Sequence, residues 1–590
     1  MQRKHKPEYE KFLKEKQEKK LDRPGGKGQM QLTNMMLPTQ SPRTVERFSR
    51  SDTRQLAISN AIAKMIIKDL IPIRIVECEG FRDLLTLVEP RYKVVSCSHI
   101  RGKLLPQYQL KVEEAIVAML QGVESCNVTI DIWSSRRMHG YLGVTCHFLT
   151  RSWQLESVLL CCSHLQGRHT GANILAEFEE VAEKYSIVQR IFRVIADNAS
   201  NMKKAFPETV SLPGFDVDDD EEDLIDTGNL SDSEEGDDDF TDLSLVPKRI
   251  NCFAHTLQLC VKDGLASSSI LSKVLARAAK VVNHIKKSTL ATEKMEKMFG
   301  KTVIPRNETR WNSQLKMIRR LVEVNTDEVV EKPELKFTSH EKVVMKEMIQ
   351  ILEPFEEATD LTQGDQYVSI SLVIPSVVGL QKHLSQVNSR YLSLLVRKLK
   401  TALDERLGHV EDECLYLSAT ILDPRFKLAW HDPEDTEGLS EAKKTVLEAV
   451  VSLTPNGADP AETQPISETE SYFSSDVDSA EPPKKKSKLF SFMKTTPIPK
   501  KRKTCSEELE AYCREDIVSD VDPLMFWKKN SREYPSLARL AQRVLAVPAT
   551  SGAVERVFSQ AGKILRPDRS RLLPNNLETL IFLKTNSRLL

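Results

Sequence analysis

The sequence lacks any long apolar run. No stretch of its 590 residues approaches the roughly 18 apolar residues that a membrane-spanning helix needs, and no secretory signal opens the chain. The 11 cysteines are an odd number and form no CxxC pair, which is typical of reduced thiols packed as small hydrophobic residues. These absences argue against a membrane protein or a disulfide scaffold, so we expect an intracellular protein with no membrane partner.

The chain also lacks net charge, because 84 basic residues balance 84 acidic ones. The balance conceals segregation: the termini are basic, and the segment 214–247 is strongly acidic. Blocks of like charge repel each other and cannot bury apolar surface, so we expect this segment to be a disordered loop. The length exceeds what one hydrophobic core supports and predicts about two to four domains.

The first 125 residues divide into two parts. Residues 1–50 are polar and rich in lysine, which predicts a disordered basic arm. In residues 51–125, apolar side chains recur at helical spacing and indicate a small helical module.

Residues 126–213 change to the period of β-strands. Three β-rich runs are followed by a helical pattern at 171–185 and a short apolar run at 191–196. This order is that of an RNase H-like α/β core. Asp131 lies on the first strand and Asp197 directly follows the fourth, so we expect both carboxylates at one edge of the sheet.

The segment 248–455 is mostly amphipathic helices, the clearest at 256–264, 270–288, 341–359, 369–387 and 390–407. Residues 456–505 form a predicted disordered linker with basic clusters at 484–488 and 500–503. Two such clusters indicate a bipartite nuclear import signal, with a plain solvated linker as the alternative.

The C-terminal segment 506–590 carries the sharpest apolar pattern. One stripe recurs at i, i+3 and i+4, and a second apolar run follows near the end of the chain. Two such helices bury little surface alone, so we expect a homodimer. The predicted interface residues are Val554, Val557, Phe558, Leu580 and Leu583.

The run Ala549–Ser559 resembles the C-terminal dimerisation region of the hAT transposase superfamily, and the wider resemblance is to the zinc finger BED domain-containing group. It implies an RNase H-like core interrupted by a large helical insertion. Asp131, Asp197 and Glu555 match the acidic triad of hAT transposases, which implies bound Mg²⁺ or Mn²⁺ for DNA strand transfer. The alternative is that each acid caps a turn or pairs with an arginine.

Two further motifs match hAT landmarks. Within Arg310-Trp-Asn-Ser, the resemblance implies that Arg310 lies by a DNA phosphate and that Trp311 stacks on a flipped base, although a core tryptophan fits equally. Cys252 and His255 have metal-ligand spacing, but no matching second pair is evident, which favours a structural, packed pair.

The first ten residues resemble the tail that follows a BED zinc finger, with His5 as the last ligand. The other ligands would precede Met1, so we do not expect zinc in this chain; a solvated lysine-rich arm is the alternative.

Three functions remain open. The favoured hypothesis is a nuclear, DNA-associated homodimer derived from such a transposase, acting in transcription regulation, with DNA, a second copy and the nuclear import machinery as partners. The alternatives are an active DNA transposase and a protein-interaction scaffold without DNA binding.

Overall fold

The computed structural model of the protein describes residues 46–135, 138–207, 248–307, 311–453, 503–565 and 573–590. Three predicted disordered segments lie wholly or largely outside these residues: the basic arm at 1–50, the acidic loop at 214–247 and the linker at 456–505. Within the described residues, no helix has both the length and the apolar character needed to cross a membrane.

The chain divides into two compact units. In the smaller one, residues 46–59 lie with residues 76–95. The Gln55 side chain donates to the Lys93 carbonyl at 2.7 Å and accepts the Lys93 N–H at 3.0 Å, which joins the two segments. The first two helices are α1 (Thr53–Asp69) and α2 (Glu79–Val88).

A five-stranded sheet lies in the larger unit, and its strands follow the order β3-β2-β1-β4-β5. The pairs β1/β2 and β2/β3 are antiparallel, whereas β1/β4 and β4/β5 are parallel. The four strands expected from the apolar periodicity are present; the short fifth strand was not predicted. The strands are β1 (Cys126–Ser134), β2 (Gly140–Leu149), β3 (Leu155–Leu165), β4 (Ile191–Ala196) and β5 (Arg249–Asn251).

Three helices accompany the strands in sequence. Every residue of β2, which lies between β3 and β1 in the sheet, is buried. A helical turn at Cys97–His99 and a π-helical segment at Ile100–Leu104 lead into the first of the three helices. These helices are α3 (Leu105–Gln121), α4 (Gly171–Lys184) and α5 (Ser200–Ala205).

The chain after β5 is helical. Each helix predicted there from amphipathic spacing is present. The helix Ser339–Thr362 begins with a capping box, in which Thr338 and Glu341 each bond the other's backbone N–H and so satisfy two otherwise unpaired donors. The helices are α6 (Phe253–Ser267), α7 (Ser269–Lys287), α8 (Thr289–Phe299), α9 (Trp311–Glu323), α10 (Ser339–Thr362), α11 (Val373–Gln386), α12 (Ser393–Leu407), α13 (Cys414–Ile421) and α14 (Thr436–Ser452).

The C-terminal part returns to the sheet. Its helices are α15 (Cys505–Arg514), α16 (Pro523–Asn530), α17 (Pro535–Val544), α18 (Gly552–Ile564) and α19 (Pro574–Thr585). Helix α18 packs on β1 and β2, while α19 packs on β3 and α3. The fold is therefore a mixed α/β arrangement that is mostly helical, with sequence-distant segments joined at one sheet.

This packing corrects the predicted dimer interface. All five of its residues are buried within the chain, because α18 and α19 place their apolar faces on the sheet. Phe558, for example, stacks on Trp133 with ring centroids 5.9 Å apart. The apolar stripe is part of the core of a single chain. The buried residues are Val554, Val557, Phe558, Leu580 and Leu583.

Candidate functional site

Asp131 lies on β1, on the face of the sheet that α18 covers. It pairs in register with Gly143 of β2. One oxygen of its carboxylate, Oδ1, accepts the backbone N–H of Ile132 at 2.8 Å. Since side chains alternate along a strand, Asp131 shares its face with Thr129.

Asp197 directly follows β4, the parallel neighbour of β1. Thr129 pairs with Ile195, so Asp131 and Asp197 each lie two residues beyond this pair on adjacent strands. The Asp197 Oδ1 accepts the Ala199 N–H at 3.2 Å, and its backbone carbonyl accepts from Arg249 at 2.8 Å. Because both acids lie two residues beyond one paired position of two parallel strands, they come to the same end of the β1/β4 pair.

Glu555 reaches this edge because α18 approaches the sheet closely. A Cβ atom added at Gly143 would lie 2.5 Å from Val554 Cγ2 and 2.7 Å from Phe558 Cζ. Only a residue without a side chain permits this approach at the position opposite Asp131. The helix thereby brings a carboxylate from more than 350 residues away in the sequence to the two strand-borne acids.

The three acids line one cleft of about 540 Å³, together with Trp133, His255 and other polar residues. Burial, and then the negative charges of Asp197 and Glu555, raise the pKa of Asp131 well above its usual value. The shift has a physical meaning: an ionised Asp131 is unfavourable here unless a positive charge enters the cleft.

The donor chemistry of the cleft suits a divalent cation. Carboxylate oxygens are hard ligands that Mg²⁺ and Mn²⁺ prefer, and a cation would relieve the repulsion among the three acids. Within the described residues, however, no three His, Cys, Asp or Glu side chains already lie close enough together to hold a metal ion. The three acids thus have the ligand chemistry that suits a divalent cation and line one cleft, but they do not form a preformed metal cluster.

Cys252 and His255 have different surroundings. Cys252 is buried, its Sγ accepts the Ser551 N–H at 3.3 Å, and burial raises the pKa of its thiol to about 11. Its hydrogen bond joins the start of α6 to the segment preceding α18. His255, one helical turn later, lines the acidic cleft. The prediction of a packed Cys252–His255 pair did not place His255 at this cleft.

Trp311 is not at the cleft. It is buried at the start of α9, within the hydrophobic core of the helical region, so the stacking role expected for it is wrong for this conformation. Its neighbour Arg310 lies outside the described residues.

Two residues of the site were missed from the sequence. Trp133 is half-buried, lines the cleft and contacts both Phe558 and Tyr141. Its position two residues after Asp131 is the signal, because alternation places both on one face. Gly143 has a weaker signal, a glycine inside a β-rich run.

Comparison with known proteins places three stretches of the chain in described families. Residues 129–211 match the ZBED1 RNase-like domain, and residues 250–351 match the ZBED1 RNase-like helical domain. Residues 508–587 match the hAT family C-terminal dimerisation region. The matched stretches contain Asp131, Asp197 and Glu555.

Several relatives align along nearly the whole chain. Human zinc finger BED domain-containing protein 4 is 25% identical over 573 residues, which cover 92% of this chain and 44% of that protein. A putative AC transposase of Zea mays is 24% identical, with 88% of this chain and 64% of the relative covered. The putative transcriptional regulator tpeD of Talaromyces stipitatus is also 24% identical, with 88% and 60% covered. The chain thus spans about half to two thirds of these relatives.

Proposed function

We propose that this chain, which belongs to the BED-type proteins derived from hAT transposases, is a nuclear, DNA-associated homodimer that regulates transcription. We propose further that it retains a divalent-metal site. The observation that carries the proposal is the convergence of Asp131, Asp197 and Glu555 on one cleft. The match of residues 508–587 to the hAT dimerisation region supports a homodimer. The sheet order, with two acids at one edge, supports an RNase H-like core.

In this proposal, the three carboxylates hold Mg²⁺ or Mn²⁺. When bound, the ion would polarise a phosphodiester, activate an attacking water or hydroxyl and stabilise the leaving oxygen. Asp131 and Asp197 would supply oxygens from the sheet edge, and Glu555 would supply one from α18. The half-buried Trp133 beside them offers an indole face on which a nucleobase can stack without regard to sequence.

Divalent metal should stabilise the folded protein. A ligand at about 100 times its Kd adds about 2.7 kcal/mol to the free energy of unfolding, so Mn²⁺ should raise the Tm by several degrees. Asp131→Asn should abolish this rise. In metal-free buffer at neutral pH the same variant should be more stable than wild type, because it removes a carboxylate whose ionised form is unfavourable.

The matched control is Asp360→Asn, which changes an exposed carboxylate on α10. It should leave the Mn²⁺ response intact. A wild-type melting curve indifferent to Mn²⁺ and Mg²⁺ would remove the metal site from the proposal.

Assembly and DNA binding are tested separately. Analytical ultracentrifugation at micromolar concentration should show a dimer. Fluorescence anisotropy with labelled duplexes should show binding whose affinity falls as salt rises, because phosphate contacts release counterions. A dimer that binds no duplex at low salt would favour the scaffold hypothesis.

Nuclear location is tested through the basic clusters at 484–488 and 500–503. Replacing their lysines and arginine by alanine should leave a tagged protein in the cytoplasm, while replacing the lysines of residues 11–20 should not. Unchanged nuclear signal in the first variant would reject the assignment. Of these cluster residues, only Lys503 lies within the described part of the chain.

A second candidate function is metal-dependent DNA strand cleavage, favoured by the presence of all three acids in one cleft. With Mn²⁺, the wild type should nick supercoiled plasmid, whereas Asp131→Asn and Asp197→Asn should not. Equal nicking by wild type and variants would contradict a role for the cleft. An inactive wild type that binds DNA and metal would leave the first proposal in place.

A further inference from the structure

The helix that carries Glu555 is held by the segment 363–369, which connects α10 to α11 in the helical region. Two contacts join them. Before α18 begins, the Ala549 N–H donates to the Ser369 hydroxyl at 3.1 Å. Within α18, the Arg556 Nη1 donates to the Gln363 carbonyl at 2.9 Å.

Arg556 makes a further ion pair with this segment. Its Nη2 lies 2.6 Å from the Asp365 Oδ2. Arg556 directly follows Glu555, and successive residues on an α-helix point about 100° apart. Glu555 therefore faces the acidic cleft, while Arg556 binds the connecting segment. A rotation of α18 that broke the contacts of Arg556 would also displace the Glu555 carboxylate.

Buried polar residues lie beneath this ion pair. His147 of β2 lines a small cavity that also includes Asp365 and Ser369. Its Nε2 is 2.8 Å from the Thr145 hydroxyl, which in turn hydrogen-bonds Thr129 on β1. Thr129 is on the same strand and face as Asp131. His147, Thr145 and Thr129 therefore form a hydrogen-bonded row across β2 and β1, and the cavity at the His147 end of this row also borders the segment 363–369.

We propose that the Arg556–Asp365 ion pair is a positioning contact through which the helical region sets the orientation of α18, and hence the place of the Glu555 carboxylate beside Asp131 and Asp197. The inference deepens the proposed function and rests on it for the role of the three acids. Arg556 and Asp365 themselves do not line the cleft.

The exposure of the Arg556 and Asp365 side chains distinguishes a positioning role from a contribution to the stability of the whole chain. The two side chains are 44% and 30% exposed, and ion pairs this exposed contribute little to global stability. Loss of the pair should therefore leave the Tm nearly unchanged while altering the order of α18 and the affinity of the cleft for metal.

The experiment compares Arg556→Gln, Asp365→Asn and the conservative Arg556→Lys in the full chain. The control is Arg588→Gln, which removes an arginine of similar exposure that pairs with Glu156 on β3. Hydrogen exchange of residues 552–564 reports the order of α18. The Mn²⁺ concentration at half-maximal thermal shift reports the cleft.

Arg556→Gln and Asp365→Asn should each lose exchange protection in residues 552–564 and need about tenfold more Mn²⁺, the effect of removing a residue that orients a metal ligand. Arg556→Lys should recover most of both, because it keeps the cation. Arg588→Gln should match wild type in both.

Wild-type protection in residues 552–564 for both charge-removing variants would overturn the inference. Equal loss in the Arg588→Gln control would do the same, because the effect would then be unspecific. If wild type shows no Mn²⁺ response, the proposed metal site fails, and the exchange measurement alone still decides whether the ion pair orients α18.

Discussion

The close approach of α18 to the sheet makes Gly143→Ala the most direct test of how the acidic cleft is assembled. The added methyl group would lie 2.5 Å from Val554 Cγ2 and 2.7 Å from Phe558 Cζ, well inside van der Waals contact. Val554 is wholly buried and β-branched, so its side chain has little freedom to rotate away inside a helix. The strain must therefore move α18 or the strand.

Overpacking of this kind costs about 1–3 kcal/mol. In domains of about 150–250 residues, 1 kcal/mol corresponds to about 2–4 °C in Tm, so we expect a fall of several degrees. Any outward movement of α18 also carries Glu555 away from Asp131, which lies directly opposite Gly143. The variant should therefore need more Mn²⁺ than wild type for the same thermal shift.

Differential scanning calorimetry with and without Mn²⁺ measures both effects. The matched control is Gly379→Ala in α11, where an added Cβ meets no atom within 4 Å. That change should raise the Tm slightly, because alanine favours a helix over glycine. A Gly143→Ala protein as stable as wild type, with an unchanged Mn²⁺ response, would refute the close-approach argument.

Three further predictions follow from buried side chains. Phe558→Asp places a charge against Trp133 in the core, so the chain should unfold or aggregate, as measured by size-exclusion chromatography and circular dichroism. A folded monomeric variant would instead indicate that Phe558 belongs to the dimer interface. Trp311→Ala should lower the free energy of unfolding by about 3–5 kcal/mol in denaturant titrations, and a neutral result would contradict its core position. Burial lowers the pKa of His147 to about 4, so only the unfolded state gains a proton as the pH falls from about 6.5. The free energy of unfolding should therefore fall by about 3 kcal/mol between neutral pH and pH 4. His147→Gln should flatten that pH profile, and an identical slope in both proteins would refute the assignment.

Much of the sheet could be predicted from the sequence because its signals are local. The β-rich runs give the strands, and a strand-helix-strand order constrains the parallel pairing of β1 with β4. That pairing is enough to expect Asp131 and Asp197 at one edge. Period is a property of short segments, so the strands could be predicted locally, and the order of an RNase H-like core then placed the first and fourth strands side by side.

The surface that covers the C-terminal helices could not be predicted from local patterns. The spacing of Val554, Val557 and Phe558 predicts that one face of α18 is buried, and it is. Spacing carries no information about what covers that face, so the chain's own sheet and a second copy predict the same pattern. The same ambiguity applies to Trp311, whose ring is equally suited to a core or to a nucleobase.

By itself, therefore, the sequence determined four of the five strands, many of the helices and the faces they bury, and it placed Asp131 on the first strand and Asp197 directly after the fourth. Only the tertiary structure decided that α18 closes on the sheet over Gly143, that Glu555 joins Asp131 and Asp197, and that Arg556 binds the segment 363–369. The physical reason is that these contacts join residues far apart in the chain. Their geometry depends on steric fit between two surfaces, and neither surface is encoded in the local pattern of the other.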